Sequence, residues 1–213
     1  MKKYLALLLA VTLTGCGSFT PEPDPVLELC RRIRTESAGF TARVSADYID
    51  TREVFTVACR WDPEGKLTFS VEDPAELAGI RGEISAPEEK VVFSEEILAL
   101  PLLAGGKLPP AGGPYVLMKT LCTGKPVSAV REGNTEHMTF RESCGGEVLE
   151  TEFYLRDGVP AAGEISWRGQ RQLTLEISGF AFAGDADRVS RSGGINRLQM
   201  WDNTCSGVPY GEP

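Results

Sequence analysis

Cys16 is the residue with the clearest chemistry in this sequence. Lys2 and Lys3 form a positive start, residues 5–13 form an apolar stretch too short to cross a bilayer, and Leu13-Thr14-Gly15-Cys16 follows. Small residues directly before a cysteine at this place are typical of a lipoprotein signal. In such a signal the thiol of the cysteine receives a diacylglycerol. The alternative is an ordinary secretory signal followed by a chance cysteine. We expect cleavage after residue 15 and a lipid anchor on Cys16.

Five further cysteines could form disulfides outside the cytoplasm: Cys30, Cys59, Cys122, Cys144 and Cys205. A hairpin around residues 132–135 that pairs Arg131 with Glu136 sets Cys144 opposite Thr123. This register makes Cys122 and Cys144 the first disulfide candidate. Cys30 with Cys59 is a second candidate because both lie on apolar faces. Buried free thiols are the alternative to both pairings.

The sequence lacks the common catalytic and metal-binding motifs. His137 is the only histidine, which excludes multi-histidine metal sites and histidine relays, and it falls on the polar face of its predicted strand. The cysteines are too scattered for a zinc ribbon, and no phosphate loop or dinucleotide fingerprint occurs. Paired carboxylates at 88–89 and 95–96 lie in a turn and at a helix start, where charge is common. We therefore expect a non-enzymatic protein without a metal or cofactor.

The acidic charge of the chain limits its partners. The formal net charge is −8, and loss of Lys2 and Lys3 with the signal makes it −10, from 20 basic and 30 acidic residues. Nucleic acid binding requires a basic surface, so this balance argues against it. The same charge opposes adhesion to anionic lipid, so the acyl anchor must supply the membrane affinity. Simple solubility is the other explanation of the charge.

The chain divides into a signal over residues 1–15, a lipidated tether over 16–24, one folded domain over 25–184 and a loosely ordered tail over 185–213. Asp24-Pro25 predicts a helix start, with apolar positions at helical spacing up to about residue 34. Apolar and polar side chains then alternate over residues 40–71, and again from residue 127 to about 182. This pattern predicts antiparallel β structure over a core, with covering helices.

The segment between the two strand-rich regions is unusually apolar. Residues 94–103 begin with Ser-Glu-Glu, which predicts a capped helix that Pro101 ends or kinks. A connection rich in glycine and proline follows, and Pro114 begins a second predicted helix. Residues 97–103 could form a movable cover with a glycine hinge, or simply precede an ordinary loop.

Large apolar side chains recur at the inward positions of these predicted elements. They either fill their own core or line a cavity for an apolar ligand. The candidate cavity residues are Phe55, Val57, Trp61, Leu67, Phe69, Phe93, Leu98, Leu102, Leu117, Phe140, Phe153 and Trp167.

Over residues 26–182 the order of elements resembles the LolA/LolB-like lipoprotein carriers and receptors. The likeness is carried by Phe40–Tyr48, Phe55–Trp61, Leu67–Val71 with the following Asp73-Pro74-Ala75-Glu76-Leu77, Val91–Phe93, and Asp157-Gly158-Val159-Pro160 before Ile165. The resemblance implies an α+β fold, mainly antiparallel β, in which short helices cover the concave face of a curved, unclosed half-barrel sheet. Acyl chains would be held on that face. The soluble carrier of the family lacks a lipid anchor, so this chain is more similar to an anchored receptor or a lipid-binding lipoprotein.

The expected function follows from the anchor and the resemblance together. We expect a lipid-anchored protein on the extracytoplasmic face of a cell membrane or outer membrane. Its expected partners are that membrane and an apolar ligand, either a lipid or the acyl chain of a lipoprotein, held in the half-barrel cavity. The alternative is a non-enzymatic interaction or sensory module of the cell envelope whose core is full.

Overall fold

The computed structural model describes residues 24–48, 51–86, 88–93, 98–103, 107–144 and 146–185. The predicted signal, the predicted lipidation site at Cys16 and nearly all of the predicted tail lie outside these residues. The helices are α1 (Pro25–Ile33) and α2 (Gly112–Thr123). The strands are β1 (Ala38–Tyr48), β2 (Thr51–Asp62), β3 (Lys66–Asp73), β4 (Arg81–Ser85), β5 (Lys90–Phe93), β6 (Leu98–Pro101), β7 (Lys125–Glu132), β8 (Thr135–Cys144), β9 (Glu147–Arg156), β10 (Val159–Trp167) and β11 (Gln170–Phe182).

These strands form one antiparallel sheet in the order β6-β5-β4-β3-β2-β1-β11-β10-β9-β8-β7. Consecutive strands therefore pair with each other, except β6 and β7, which are the two edges of the sheet. The first strand, β1, also pairs with the last, β11. Short turns make the consecutive pairing possible. Between β9 and β10, for example, Asp157 and Gly158 have φ of 53° and 74°, as a two-residue hairpin turn requires. The predicted fold, a mainly antiparallel, curled half-barrel sheet with short helices, is confirmed.

One face of the sheet is apolar because side chains alternate along each strand. In β9, Leu149, Thr151, Phe153 and Leu155 are fully buried, and their neighbours are partly or fully exposed. The buried positions of β1, β2, β3, β8, β10 and β11 join them in one hydrophobic cluster on the concave face. Helices α1 and α2, Ile84 of β4, Val91 of β5 and the loop residues Leu102 and Leu108 supply the rest of this cluster.

Helix α1 begins as the sequence predicts. The Asp24 side chain accepts a hydrogen bond of 3.0 Å from the backbone N–H of Val26, and Pro25 occupies the first turn. Leu29 and Ile33 are buried against the sheet. The helix end is fixed by the indole of Trp61, which donates a 3.0 Å hydrogen bond to the Ile33 carbonyl.

Helix α2 is buried on nearly every side, including Gly112 and Gly113, two residues before the predicted start at Pro114. Close packing requires glycine on the facing strand. A Cβ at Gly163 would lie 2.8 Å from Leu117 Cδ2, which is too close for an unstrained contact. Neither α1 nor α2 is long and apolar enough to span a membrane.

The predicted helix over residues 94–103 is wrong where the structure describes that segment. Leu98–Pro101 form β6, which pairs with β5 through Phe93↔Leu98, Val91↔Leu100 and Lys90↔Pro101. A short apolar run has no periodicity that distinguishes a helix from a strand. The segment forms a strand because the open edge of β5 offers it backbone hydrogen-bond partners. Proline is accepted at this place because β6 is an edge strand and Pro101 is its last residue.

The burial of α2 in the core predicts that the same substitution has very different effects on stability in α2 and in α1. Leu117 in α2 is 1% exposed and Leu27 in α1 is 68% exposed. Leu117→Ala should lower the free energy of unfolding by about 2–5 kcal/mol, because it leaves a cavity in the core. Leu27→Ala should change it by no more than about 0.5 kcal/mol. Urea unfolding followed by tryptophan fluorescence measures both, and equal losses would contradict this packing.

Candidate functional site

Most of the predicted cavity residues come together on the concave face, where they pack against one another. Those buried in the hydrophobic cluster are Val57, Trp61, Leu67, Phe69, Leu102, Leu117, Phe140 and Phe153. Phe93 and Trp167 are half-buried against it, Phe55 is half-buried, and the side chain of Leu98 lies outside the described residues. Edge-to-face ring contacts join Phe140 to Phe153, with centroids 6.1 Å apart, and Phe69 to Phe93, at 6.0 Å. These side chains therefore serve as core.

Open space lies at the α1 end of the half-barrel. A cleft of about 420 Å³ separates the start of α1 from β7 and β8, and we name it the Glu136 cleft. It is lined by Asp24, Pro25, Val26, Ala129, Val130, Arg131, Glu136 and Met138. Its volume falls in the usual range for ligand sites, roughly 300–1,000 Å³.

A second cleft of about 230 Å³ lies on another side of α1, and we name it the Arg32 cleft. It is lined by Pro25, Glu28, Leu29, Arg32, Gly158, Val159, Phe180, Ala181, Phe182 and Asp185. Both clefts are lined in part by core side chains. Met138 of the hydrophobic cluster lines the Glu136 cleft, and Leu29 and Phe182 of the same cluster line the Arg32 cleft. Helix α1 thus separates the two clefts and covers core side chains between them.

Glu136 is the polar group that stands out in the first cleft. Its residue is 7% exposed, and its Oε2 atom has no hydrogen-bond partner among the described residues. Its other oxygen, Oε1, lies 3.4 Å from Nε of Arg131, whose side chain is 65% exposed. The register explains the burial: Glu136 alternates with His137 on β8, so it faces inward on the same side as Met138 and Phe140. Sequence reasoning missed this site, although a carboxylate at an inward position was a signal that could have found it.

Arg32 holds α1 in place at the second cleft. Its guanidinium pairs with Glu36 at 2.8 Å and with Asp185 at 3.0 Å, and its Cζ lies 3.9 Å from the ring centroid of Phe182. The hydrogen bond with Glu36 is the largest influence on Arg32, and together with the pair with Asp185 it outweighs burial and raises the pKa of the guanidinium above its usual range. These contacts join α1 to the end of β11.

Lys119 of α2 joins two distant parts of the sheet. Its Nζ contacts Glu89 in the β4–β5 turn, lies 3.2 Å from Glu142 Oε1 in β8, and donates a 2.6 Å hydrogen bond to the Ser143 carbonyl. Burial lowers the pKa of this amine, but the bond with Glu89 and the two carboxylate charges outweigh burial and raise the pKa overall. Beneath this cluster the hydroxyl of Tyr115 is buried without a partner among the described residues, and burial raises its pKa to about 12.

The predicted Cys122–Cys144 disulfide is absent from the structure, where Cys30, Cys59, Cys122 and Cys144 are all free. The register Arg131↔Glu136 is as predicted, but the β7–β8 pairing ends at Lys125↔Arg141 after a bulge. Cys122 therefore lies in the last turn of α2 instead of opposite β8. The second candidate, Cys30 with Cys59, is not formed either. The alternative of buried free thiols describes Cys59 and Cys144, whereas Cys30 and Cys122 are free but only half-buried.

His137 lies on the outer face of β8. Its ring stacks on Tyr154, with centroids 4.6 Å apart, and its Nε2 lies 3.1 Å from Glu152 Oε2. In the part of the chain that the structure describes, no group of three or more histidine, cysteine, aspartate or glutamate residues is placed to hold a metal ion. Surface packing accounts for this histidine.

No family model and no curated protein matches the chain in sequence. An uncharacterized conserved protein from Thermus thermophilus matches in structure at 13% identity and a TM-score of 0.41, over 74% of this chain and 85% of that one. A LolA superfamily protein from Nitrosomonas europaea matches at 8% identity and a TM-score of 0.38, over 73% and 90%. A domain described as a putative outer membrane lipoprotein-sorting protein from Vibrio parahaemolyticus matches at 8% identity and 0.40, over 84% and 96%.

At these identities and TM-scores the likeness is one of fold alone. The geometry of this chain's own α1 end is the basis for its functional interpretation.

The free thiols lead to a chemical prediction. Burial is the main cause that raises the pKa of Cys122 to about 11 and that of Cys144 to about 12, and it also raises the pKa of Cys59. Only thiolates react quickly with iodoacetamide, so these residues should alkylate far more slowly than free cysteine at about pH 8 and rapidly after unfolding. Peptide mass mapping measures both rates. A linked Cys122–Cys144 peptide, or equal rates before and after unfolding, would contradict the prediction.

Proposed function

We propose that this chain is a lipid-anchored protein of the extracytoplasmic face of a cell membrane or outer membrane, where it binds an apolar ligand without catalysing a reaction. The ligand is a lipid or the acyl chain of a lipoprotein. It enters at the α1 end of the half-barrel, through the Glu136 cleft. Apolar chains would be taken from one membrane-associated partner and passed to another.

The observation that carries this proposal is that the apolar lining of the Glu136 cleft is continuous with the hydrophobic core. Five of the eight residues that line the Glu136 cleft are apolar: Pro25, Val26, Ala129, Val130 and Met138. Met138 is 2% exposed and belongs to the hydrophobic cluster as well. An alkyl chain in the cleft would leave water for an apolar wall, which stabilises the complex by about 0.8 kcal/mol for each buried methylene.

The position of the cleft also suits a membrane ligand. Asp24 lines it, and eight Cα-to-Cα steps, with seven residues in between, separate Asp24 from the predicted anchor at Cys16. A chain of that length spans at most roughly 29 Å when fully extended. An anchor on Cys16 would thus keep the cleft within that distance of the lipid headgroups.

The competing proposal is an interaction or sensory module of the envelope with a full core. The burial of eight predicted cavity side chains in one cluster favours it. This alternative requires no ligand in the cleft, so ligand binding distinguishes the two.

The anchor is tested by replacing the lipidated thiol. Cys16→Ser should abolish incorporation of labelled palmitate, because a serine hydroxyl does not form the diacylglycerol thioether. The variant should also move out of the detergent-soluble membrane fraction or remain unprocessed. Cys30→Ser, which leaves the signal intact, is the control and should be labelled like the unchanged chain. Equal labelling of the Cys16 variant would contradict the anchor.

Ligand binding is tested with a series of alkyl amphiphiles of increasing length. Each added methylene should tighten binding about fourfold, as expected from about 0.8 kcal/mol per methylene. Ala129→Trp, on the exposed strand β7, should fill the Glu136 cleft and weaken binding at least tenfold. Val148→Trp, at a position 60% exposed on β9, adds the same side chain outside the cleft and should leave binding unchanged. Calorimetry measures the constants, and no binding by the unchanged chain would favour the module with a full core.

A further inference from the structure

We propose that the Glu136 cleft selects amphiphiles whose polar end is an ammonium group, such as aminolipids. This inference rests on the proposed function, because it names the headgroup of the ligand whose apolar part lies against Met138 and Val26. The carboxylate of Glu136 is the group that recognises the ammonium.

The first step is the unpaired carboxylate oxygen. Glu136 Oε2 is buried, and none of the described residues donates a hydrogen bond to it. A buried acceptor without a donor costs desolvation free energy, and this cost is greatest for a charged oxygen. Because Glu136 lines the cleft, rotation of its carboxylate would present Oε2 to a bound ligand, which would supply the missing donor. An ammonium offers three N–H groups and a positive charge, which makes the hydrogen bond stronger than one from a neutral hydroxyl.

The second step is the charge of the cleft. The ionisable groups that line it are the carboxylates of Asp24 and Glu136 and the guanidinium of Arg131. Asp24 Oδ1 is occupied by the Val26 N–H at the helix start, and Arg131 pairs with Oε1 of Glu136, so Oε2 keeps its acceptor capacity. Two carboxylates against one guanidinium leave a net negative lining in a chain whose formal charge is −8. A phosphate or carboxylate headgroup would be repelled by this lining.

The third step is the apolar wall. A metal ion would require several oxygen ligands at one point, and no such cluster exists within the described ranges. The remaining cleft residues, Pro25, Val26, Ala129, Val130 and Met138, contact an alkyl group instead. A ligand with a cationic end and an apolar body fits both parts of the lining.

The experiment compares dodecylamine, dodecanol and dodecanoate, all below their micelle concentrations, by calorimetry with the full chain. Dodecylamine should bind about tenfold or more tightly than either of the others, as expected for a charge-assisted hydrogen bond that replaces water. Glu136→Gln should remove this preference, because it keeps the size of the side chain and removes its charge. Glu132→Gln, on the exposed face of the same hairpin, makes the same change in net charge and should keep the preference.

The outcomes separate this inference from the proposed function. If all three amphiphiles bind equally, the cleft takes alkyl chains and the ammonium inference is wrong. If none binds, both proposals are wrong. If the two glutamine variants lose the preference equally, general acidity explains the selectivity and Glu136 does not. Thermal unfolding of both variants verifies that each is folded, and a preference retained in folded Glu136→Gln overturns the inference.

Discussion

The burial of one apolar sheet face is the constraint on which the described structure depends. Nine of the eleven strands, β1 to β5 and β8 to β11, contribute buried side chains to this face, and exposure of that surface would cost about 25 cal/mol for each square ångström. The two edge strands β6 and β7 are not paired with each other, so the sheet cannot bury this face by closing on itself. Helix α2 takes that role, and Lys119 joins it to Glu89 and Glu142 on separate parts of the sheet.

The two helices contribute unequally to this cover. Helix α2 is buried on nearly all of its surface, whereas α1 has nine residues and buries only Leu29 and Ile33. The clefts flank α1, and each one reaches a core side chain. A ligand bound as we propose would therefore contact Met138 at the α1 end without displacing α2. This difference is why we place recognition at Glu136 instead of among the packed aromatic residues.

The fold was largely predictable from the sequence because alternation is a local property. Period two located the long strands, and the hairpin at residues 132–135 even gave the Arg131↔Glu136 register. Segment Leu98–Pro101 was not predictable, since pairing with β5 determines its conformation.

The candidate site was less predictable than the fold. The Cys122–Cys144 pairing failed because β7 begins only at Lys125, after the end of α2. Sequence also cannot separate a hollow face from a filled one, because packing depends on the shapes of all its side chains together. Glu136 did leave a signal, as an acid at an inward position among apolar residues, but its unpaired oxygen required the structure.

Hydrogen exchange with and without a bound dodecyl amphiphile tests the central claim most directly. The account predicts slower exchange of the amides of α1 and of residues 129–138 on β7 and β8 when the ligand is present. Amides of α2 and of β4 and β5 should exchange at unchanged rates, since the cleft lies apart from them. Protection confined to α2, or faster exchange there, would show that ligand enters the packed interior and would contradict the account.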